Sequence, residues 1–405
     1  MLTRLYPRLR LQIGFADLIF SLFSGILKQN SQPPPILKQF QQGDKQVLVK
    51  LSVRTAFDLL LQALNLPPGS EVLMSAVNIR DMGEIVRRHG LVLVPVEIDF
   101  DTLKPDIQQL EALISPQSKI LLVAHLFGAV IDIQPLIEVC QKHQILVVED
   151  CAQAFCGESY CGDPQADVSL FSFGSIKSCS ALGGAIASIK DSTLAEQIRQ
   201  IEASYPQRSE LWFYRRVLKY CGLKFLSLPV IYQQLIAILL KLKLDPDSTI
   251  NALTRGFSGG DLMTKIRYRP PQGMRQLLWH RLRSFDNLWF KIREAKARLL
   301  IANLSPEIVY PGNQTDFHSF WVFPILADNP DWLIQNLREN GFDATRGNTS
   351  LTHFHPHFEN SGNYLTPEHL SEKIVYLPLS EALPDEEIVR LAQIVNSFLC
   401  KPIPA

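Results

Sequence analysis

The stretch KILLVAHLFGAVIDIQPLIEVCQKHQILVVED, residues 119–150, contains two short apolar runs on either side of a segment with helical spacing. The runs at 119–124 and 145–149 are rich in Val, Ile and Leu, as is typical of strands that are buried on both faces. Between them, 133–143 repeats its apolar residues at helical intervals. Strand, helix and strand in this order predict a parallel sheet covered by helices on both faces.

The same alternation continues outward from this stretch in both directions. The further predicted strands are 47–52, 71–74, 91–96, 168–173 and 184–189. Helical patterns lie at 55–66, 80–89 and 106–114, and the alternation stops after a helix at 194–204. The fold class expected from this pattern is α/β, with a mainly parallel sheet between helices.

The chain has 405 residues, which is long for one core and favours more than one domain. We expect an N-terminal amphipathic arm at 1–45 and a large domain at 46–290. A helical, apolar and basic insertion at 206–262 interrupts the large domain. A smaller α+β domain is expected at 291–405, with one long helix at 281–303 linking the two.

The insertion and the arm both combine apolar and charged residues. Residues 208–244 contain seven Lys or Arg and a single Glu, a composition that suits a membrane-surface element. The alternative is a helical insertion packed against the body or the dimer mate. The apolar run at 11–27 contains Asp17 and is short for a membrane span. We interpret it as an arm that packs on a partner subunit or lies on a membrane surface.

Composition excludes several classes of partner and site. The formal net charge is zero, so no overall field attracts nucleic acid. The seven cysteines have irregular spacing, which indicates reduced thiols in a cytosolic protein. Cys151, Cys156 and Cys161 lack the CxxC pairs that zinc sites favour, and we expect no metal.

Three strand ends carry chemically distinctive residues, and ligands of such sheets bind at the carboxyl ends of strands. Asp150 follows an apolar strand, where a carboxylate is a good partner for a cation. Lys177 lies in a loop of small residues beside the sheet, where a desolvated amine titrates lower and attacks carbonyls. In the turn at 52–55, helix N-terminal amides with Arg54 and Thr55 can hold a phosphate.

Each of these features alone has an ordinary explanation, such as a helix N-cap or a surface charge. Together they match three parts of pyridoxal phosphate: the ring nitrogen, the aldehyde and the phosphate. The combination therefore predicts a pyridoxal-phosphate site that is built around Asp150 and Lys177.

Several segments resemble one known family. They are PPGSEV at 67–72, HLFG at 125–128, VVEDCAQAF at 147–155, FSFGSIK at 171–177, YRP at 268–270 and VYLPLS at 375–380. In these segments the sequence resembles the DegT/DnrJ-type sugar aminotransferases, a fold type I pyridoxal-phosphate family. The resemblance covers roughly 46–205 and 262–400, outside the central insertion.

The resemblance implies roles for individual residues. Lys177 would hold the cofactor as an internal aldimine and move protons during the reaction. Asp150 would pair with the pyridinium nitrogen, and Gln153 would approach the ring face and the phenol oxygen. His125 is expected to have a structural role near the site.

For the phosphate, the resemblance implies Ser172 together with the turn at Arg54 and Thr55. Arg267 would reach the phosphate of the partner subunit across a homodimer interface. Arg54 departs from the family, which has a small glycine there. Asn78 and Ile79 replace a threonine and an aromatic residue.

A loop near the C-terminus matches the family's substrate loop. It contains His353, His355 and His357, and Arg346 lies nearby. Three interpretations are open for the histidines: a metal site, contact with the substrate and plain surface exposure.

The activity implied by the resemblance is transamination, with glutamate as the expected donor and a nucleotide-linked keto-sugar as the expected acceptor. We expect a cytoplasmic homodimer that acts in polysaccharide biosynthesis. The composition of 208–258 and 11–27 leaves peripheral contact with a membrane open. The alternative is a family member that binds pyridoxal phosphate without turnover, in a regulatory or scaffold role.

Overall fold

The computed structural model describes residues 4–8, 11–23, 33–254, 260–347, 350–355 and 362–399. The strands are β1 Gln46–Lys50, β2 Glu71–Ser75, β3 Val77–Ile79, β4 Val92–Val96, β5 Ser118–Ala124, β6 Ala129–Val130, β7 Leu146–Asp150, β8 Val168–Ser172, β9 Ala185–Ile189, β10 Phe317–His318, β11 Phe323–Leu326, β12 Leu351–His353 and β13 Ile374–Leu377.

The helices are α1 Phe15–Phe23, α2 Leu37–Gln41, α3 Val53–Leu64, α4 Arg80–Arg88, α5 Ile107–Leu113, α6 Gln134–Lys142, α7 Ser192–Ala203, α8 Glu210–Leu226, α9 Pro229–Lys241, α10 Pro246–Thr254, α11 Leu262–Ile266, α12 Gln272–Arg283, α13 Leu288–Asn303, α14 Pro330–Glu339 and α15 Asp385–Leu399. A 3-10 turn lies at Gly157–Ser159 and a π-helical turn at His369–Lys373.

A seven-stranded sheet forms the centre of the molecule, in the order β1-β9-β8-β7-β5-β2-β4. Its strands pair in parallel except where β9 pairs antiparallel with β1 and β8. Every strand predicted from the sequence is present, with ends within two residues of the prediction. The expected α/β class with a mainly parallel sheet is confirmed.

Alternate side chains of the sheet enter different cores, because successive side chains of a strand point to opposite faces. Ile120 and Leu122 of β5 pack in the cluster that contains helices α3, α4 and α7. Leu121 and Val123 pack in the cluster that contains α5 and α6. Helices therefore cover both faces, and the carboxyl ends of the strands remain accessible at one edge.

The single long helix expected at 281–303 is wrong. The structure has two helices, α12 and α13, which are separated at 284–287. Ser284 Oγ donates to His280 O at 3.0 Å, and Leu288 N donates to Asp286 Oδ1 at 2.8 Å. These side chains satisfy backbone groups at the end of α12 and the start of α13, which favours a break.

Helix α1 of the N-terminal arm packs on its own chain, against α8 and α12. Asp17 pairs with Arg281 at 2.7 Å and with His280 at 3.1 Å, and Leu18 is buried. Phe15 and Ile19 remain exposed on the other side of the helix. Residues 1–3, 9–10 and 24–32 of the predicted arm lie outside the described residues.

The C-terminal part has its own apolar cluster, formed by α13, α14, α15 and the antiparallel pair of β11 and β13. Helix α13 contributes to two clusters. Its Phe290 packs with the large sheet side, and its Ala297 and Leu300 pack in the C-terminal cluster. The division into an arm, a large domain at 46–290 and a small domain at 291–405 stays a prediction.

Candidate active site

A cavity of about 690 Å³ opens at the carboxyl edge of the sheet. Asp150 at the end of β7, Ser172 at the end of β8 and Ser52 just after β1 all line it. These strands run in the same direction, so their carboxyl ends meet at one edge. The cavity is therefore where the sequence predicted a ligand site.

Lys177 and Asp150 both line this cavity, and their charges affect each other. Burial lowers the pKa of the Lys177 amine to about 7; Asp150 opposes this shift, and the charge of Arg54 adds to it. Burial raises the pKa of Asp150, against the effects of a hydrogen bond from Ala152 N at 3.0 Å and of the Lys177 charge. The site thus holds a nucleophilic amine and a buried carboxylate that forms no ion pair within the described part of the chain.

Trp321 forms the wall beside the lysine. The Lys177 Nζ lies 3.9 Å from the centroid of the Trp321 ring. The indole Nε1 donates to the Ile176 carbonyl at 3.0 Å, which fixes the ring next to the lysine loop. The ring therefore contributes both to the desolvation of the amine and to its position.

A hydrogen-bonded group lies behind Asp150. His125 Nε2 bonds Glu149 Oε1 at 2.8 Å, and His125 Nδ1 accepts from Ile131 N at 3.1 Å, so the ring proton belongs on Nε2. Burial alone would raise the pKa of Glu149, but the bonds from His125, Tyr160 and Asp163 N lower it to about 2. The structural role expected for His125 is consistent with these contacts.

Gln153 also lines the cavity, as predicted. Its Oε1 accepts from Phe127 N at 2.8 Å, which leaves the amide NH2 as the group available to a ligand. Phe127 has a φ of 59°, a conformation that orients its N–H toward the glutamine. The HLFG segment and the EDCAQ segment are joined by this bond.

The turn at 52–55 begins helix α3, a helix of 12 residues. Ser52 Oγ accepts from Thr55 N at 3.1 Å and caps the helix. Arg54 lines the cavity, with its Nε donating to Asp81 Oδ2 at 2.5 Å. The turn therefore presents a positive helix end and a guanidinium to the same space.

Thr55 and Arg267 lie differently from the other predicted site residues, since neither is among the residues that line the cavity. The Thr55 hydroxyl donates to Ile266 O at 2.8 Å. Arg267 makes two 3.0 Å bonds to the buried Asp58, which also accepts from Tyr205. Donation of Arg267 to a partner subunit stays a prediction.

The residues that depart from the family pattern lie at the cavity. Asn78 and Ile79 line it, from the short strand β3 that pairs with β12. His353 of β12 bonds Glu97 at 3.0 Å, and Arg346 pairs with Asp331 at 3.3 Å. Strand β12 ends at His353. His357 lies outside the described residues.

Sequence reasoning missed several lining residues, of which Trp321, Trp212 and Arg216 are used below. Trp321 comes from the segment that follows β10, and the other two come from α8. No short-range pattern places these segments next to the lysine loop, because the contacts arise only when distant elements pack together.

The comparison with protein families identifies the segment that contains most of these residues. Residues 37–224 match the model of the DegT/DnrJ/EryC1/StrS aminotransferase family. This segment, a little under half of the chain, is similar to that family. The match includes the cavity residues from Ser52 to Arg216, and it extends into α8, beyond the resemblance seen in the sequence.

Two curated relatives are each similar to part of the chain. GDP-perosamine synthase of Caulobacter vibrioides is 32% identical over 176 residues, which are 42% of this chain and 47% of the relative. The UDP-4-amino-4-deoxy-L-arabinose--oxoglutarate aminotransferase of Shewanella sediminis is 31% identical over 157 residues, 38% of this chain and 40% of that relative. The matched segments thus span less than half of each relative.

Solved structures match over almost the whole chain. The aminotransferase TlmJ from Streptoalloteichus hindustanus has a TM-score of 0.68 and 18% sequence identity, over 98% of this chain and 99% of that one. At this identity the likeness shows the fold. The chain therefore has the fold type I arrangement, with a large, mainly parallel sheet and a smaller C-terminal part.

Proposed function

We propose that this protein is a pyridoxal-phosphate-dependent aminotransferase that acts on a keto-sugar. The observation that carries the proposal is the pair formed by Lys177 and Asp150 in one cavity. An amine with a pKa of about 7 and a buried carboxylate at neighbouring strand ends are what this cofactor requires.

The residues of the cavity fit the cofactor at three points. Asp150 would hold its ring nitrogen, since a buried carboxylate is stabilised by an adjacent cation. The N-terminus of α3 with Arg54, and Ser172 across from it, would hold the phosphate. The free amide of Gln153 would donate to the phenol oxygen.

When bound, the cofactor supplies an electron sink that makes a proton at the substrate's alpha carbon removable. The protein must then move that proton and keep water away. Lys177 is suited to this task because its lowered pKa lets it both accept and release a proton near neutral pH. Trp321 shields the amine on one side.

The proposed substrates rest on the names of the relatives and on chemistry. One relative carries oxoglutarate in its name, and glutamate is the amino acid that transamination interconverts with it. Both relatives are named for nucleotide-linked sugars. We therefore propose glutamate as donor and a nucleotide-linked keto-sugar as acceptor, in polysaccharide biosynthesis.

We propose further that the protein works as a cytoplasmic homodimer with Arg267 at the interface. The exposure of Arg267 supports this, since 40% of its side chain remains accessible although it pairs with Asp58. A guanidinium held in place by a buried carboxylate is ready to contact a phosphate on a partner subunit.

We also propose that the protein contacts the surface of an anionic bilayer through its insertion. Within the described residues of this region, the exposed large apolar residues are Leu211, Leu218, Phe225, Leu228, Val230, Ile238, Leu240, Leu242, Leu244 and Leu253. Arg215, Lys219, Lys241 and Lys243 are exposed among them. Apolar side chains beside cations match a surface of anionic lipids.

The other face of the insertion is buried against the protein. The exposed apolar face therefore points away from the protein. Phe213 and Val217 of α8 are buried, as are Tyr232 and Ile236 of α9. Among the described helices none is long and apolar enough by itself to cross a bilayer. Helices α8 and α9 pass such a test of length and composition only as a pair, bent by 94°.

The addition of glutamate to the cofactor-loaded protein tests the proposed activity. An aminotransferase converts the bound cofactor to its amine form, so its visible absorbance band should fall and recover on addition of 2-oxoglutarate. A band that stays unchanged with glutamate and with other amino acids would contradict turnover and favour a scaffold that only binds the cofactor.

A further inference from the structure

Helix α8 carries an arginine that lies between two aromatic side chains on one face of the helix. Trp212, Arg216 and Tyr220 follow one another at four-residue intervals, so their side chains share one face of the helix. The Arg216 guanidinium carbon lies 5.6 Å from the Trp212 ring centroid and 5.2 Å from that of Tyr220. The two rings therefore hold the guanidinium between them.

Arg216 and Trp212 form part of the cavity wall. The Arg216 Nε donates to the carbonyl of Leu182 at 2.5 Å. Leu182 has a φ of 58° and precedes Gly183 and Gly184, which also line the cavity. The hydrogen bond from Nε thus fixes the guanidinium at the glycine turn. This bond also sets the orientation of the two terminal nitrogens.

Arg216 pairs with no carboxylate among the described residues. Burial lowers its pKa, which means that the surroundings disfavour the charge. The acid of the same helix, Glu210, accepts from the backbone N–H groups of Gln272 and Gly273 instead. Another cation in the wall, Arg54, has Asp81 as a partner. A buried guanidinium without a counter-ion is stabilised when a ligand supplies the negative charge.

The glycine turn that anchors Arg216 lies beside the groups that are proposed to hold the cofactor phosphate, namely the start of α3 and Ser172. Gly184 N donates to Leu51 O at 2.9 Å, and Ser172 is paired with Ala185. The glycine turn therefore lies between the end of β1, where α3 begins, and the end of β8. Guanidinium groups bind phosphates through two parallel hydrogen bonds.

We propose that Arg216 is a phosphate-binding residue of the cavity, held in place by Trp212 and by the Leu182 carbonyl. The phosphate has two sources, the cofactor and the nucleotide-linked acceptor, and in both cases the proposal rests on the proposed function. The group that Arg216 would bind is an anionic phosphate or diphosphate in the same cavity as Lys177.

Binding of inorganic phosphate to the cofactor-free protein tests the proposal without any turnover. Arg216→Gln should weaken phosphate binding by about tenfold or more, as expected for loss of a charge-assisted hydrogen bond. Arg215→Gln is the matched control, because the neighbouring Arg215 is exposed and does not line the cavity. This control should bind phosphate as the unmodified protein does.

Two ligand pairs then separate the sources. Weaker binding of pyridoxal phosphate with unchanged binding of pyridoxal assigns Arg216 to the cofactor's phosphate. Weaker binding of uridine diphosphate with unchanged pyridoxal phosphate assigns it to the acceptor. Unchanged binding of both pyridoxal phosphate and uridine diphosphate would overturn the proposal, whatever happens to inorganic phosphate.

A second measurement uses the unmodified protein, in case the variant does not fold. Phenylglyoxal modifies arginine side chains, and peptide mapping locates the modified positions. Phosphate should slow the modification of Arg216 and leave that of Arg215 unchanged. Equal rates at Arg216 with and without phosphate would count against the proposal, even if the protein later proves to be an active aminotransferase.

Discussion

At the scale of single residues, the account depends on the ionisation of Lys177. Its pKa is lowered to about 7, so the amine loses its proton as the pH rises through that value. Only the neutral amine attacks an aldehyde. The rate at which the cofactor-free protein takes up pyridoxal phosphate should therefore rise with pH and be half-maximal near pH 7.

Stopped-flow absorbance between pH 6 and pH 10 measures this rate, with free N-acetyl-lysine amide as the control. The rate for the control should keep rising toward pH 10, since an exposed lysine has a pKa of about 10.4. A protein that follows the control curve would show that the pocket does not lower the pKa of Lys177.

The second prediction at this scale concerns Asp150. Replacing it with Asn removes the negative charge while keeping the size and the hydrogen bond from Ala152 N. The cofactor should still attach to the protein, but the glutamate half-reaction should slow by about 100-fold or more, the cost typical of losing an electrostatic partner. Asp150→Glu should retain more of the rate. Equal rates for Asp150→Asn and the unmodified protein would contradict the assigned role.

The sequence predicted these two residues for different reasons. Asp150 follows an apolar strand, where a carboxylate is poor packing material, and Lys177 lies in a loop of small residues beside the sheet. It did not predict Trp321 or Arg216. Their positions depend on how the C-terminal part and α8 pack over the edge of the sheet. Short sequence patterns do not predict such long-range packing. The pairing of Arg267 with Asp58 was missed for the same reason.

At the scale of elements, the exposed apolar face of the insertion gives the clearest prediction. Leu218 and Phe225 lie seven residues apart on one face of α8 and are 58% and 53% exposed. Replacing both with Glu should abolish flotation of the protein with vesicles of phosphatidylglycerol and phosphatidylcholine, because two charges then face the acyl region.

The matched control is Ile107→Glu, a similar change at an exposed apolar residue of α5, outside the insertion. This variant should float with the vesicles as the unmodified protein does. The unmodified protein should also bind pure phosphatidylcholine less well than the anionic mixture. Equal flotation of the double variant and the control would show that the insertion does not contact lipid.

The elements also show where periodicity fails as a guide. The ends of the strands in the large sheet are predicted to within two residues. A short, continuous apolar run between turn residues has few other possible structures. The segment at 281–303 looked like one helix because its apolar residues keep helical spacing. The break at 284–287 depends on the capping bonds of Ser284 and Asp286, which periodicity does not weigh.

At the scale of the whole molecule, a buried ion cluster joins distant parts of the chain. Arg8 makes bonds of 2.6 and 2.9 Å to Asp343, which also accepts from Tyr232 of α9 and from Arg338 of α14. Arg8 pairs as well with Asp247 of α10. The cluster fixes the N-terminal arm and the insertion to the C-terminal part.

Asp343→Asn should therefore destabilise the protein by about 1.5–3 kcal/mol, because the hydrogen bonds from Arg8, Tyr232 and Arg338 lose the charge of their shared acceptor while Arg8 keeps Asp247 as a partner. A fall in the midpoint of thermal unfolding measures the effect. Asp331→Asn is the control, because Asp331 is 81% exposed in its pair with Arg346 and should change stability by less than about 0.5 kcal/mol. Equal midpoints for the two variants would argue against a structural role for the cluster.

The central claim is that Lys177 bonds to the aldehyde of pyridoxal phosphate. The most direct test is to load the purified protein with the cofactor, reduce it with borohydride and map the modified peptide by mass spectrometry. The account predicts one reduced adduct, on Lys177, and none in Lys177→Ala. An adduct on a different lysine, or no adduct in a folded protein that has been supplied with the cofactor, would contradict it.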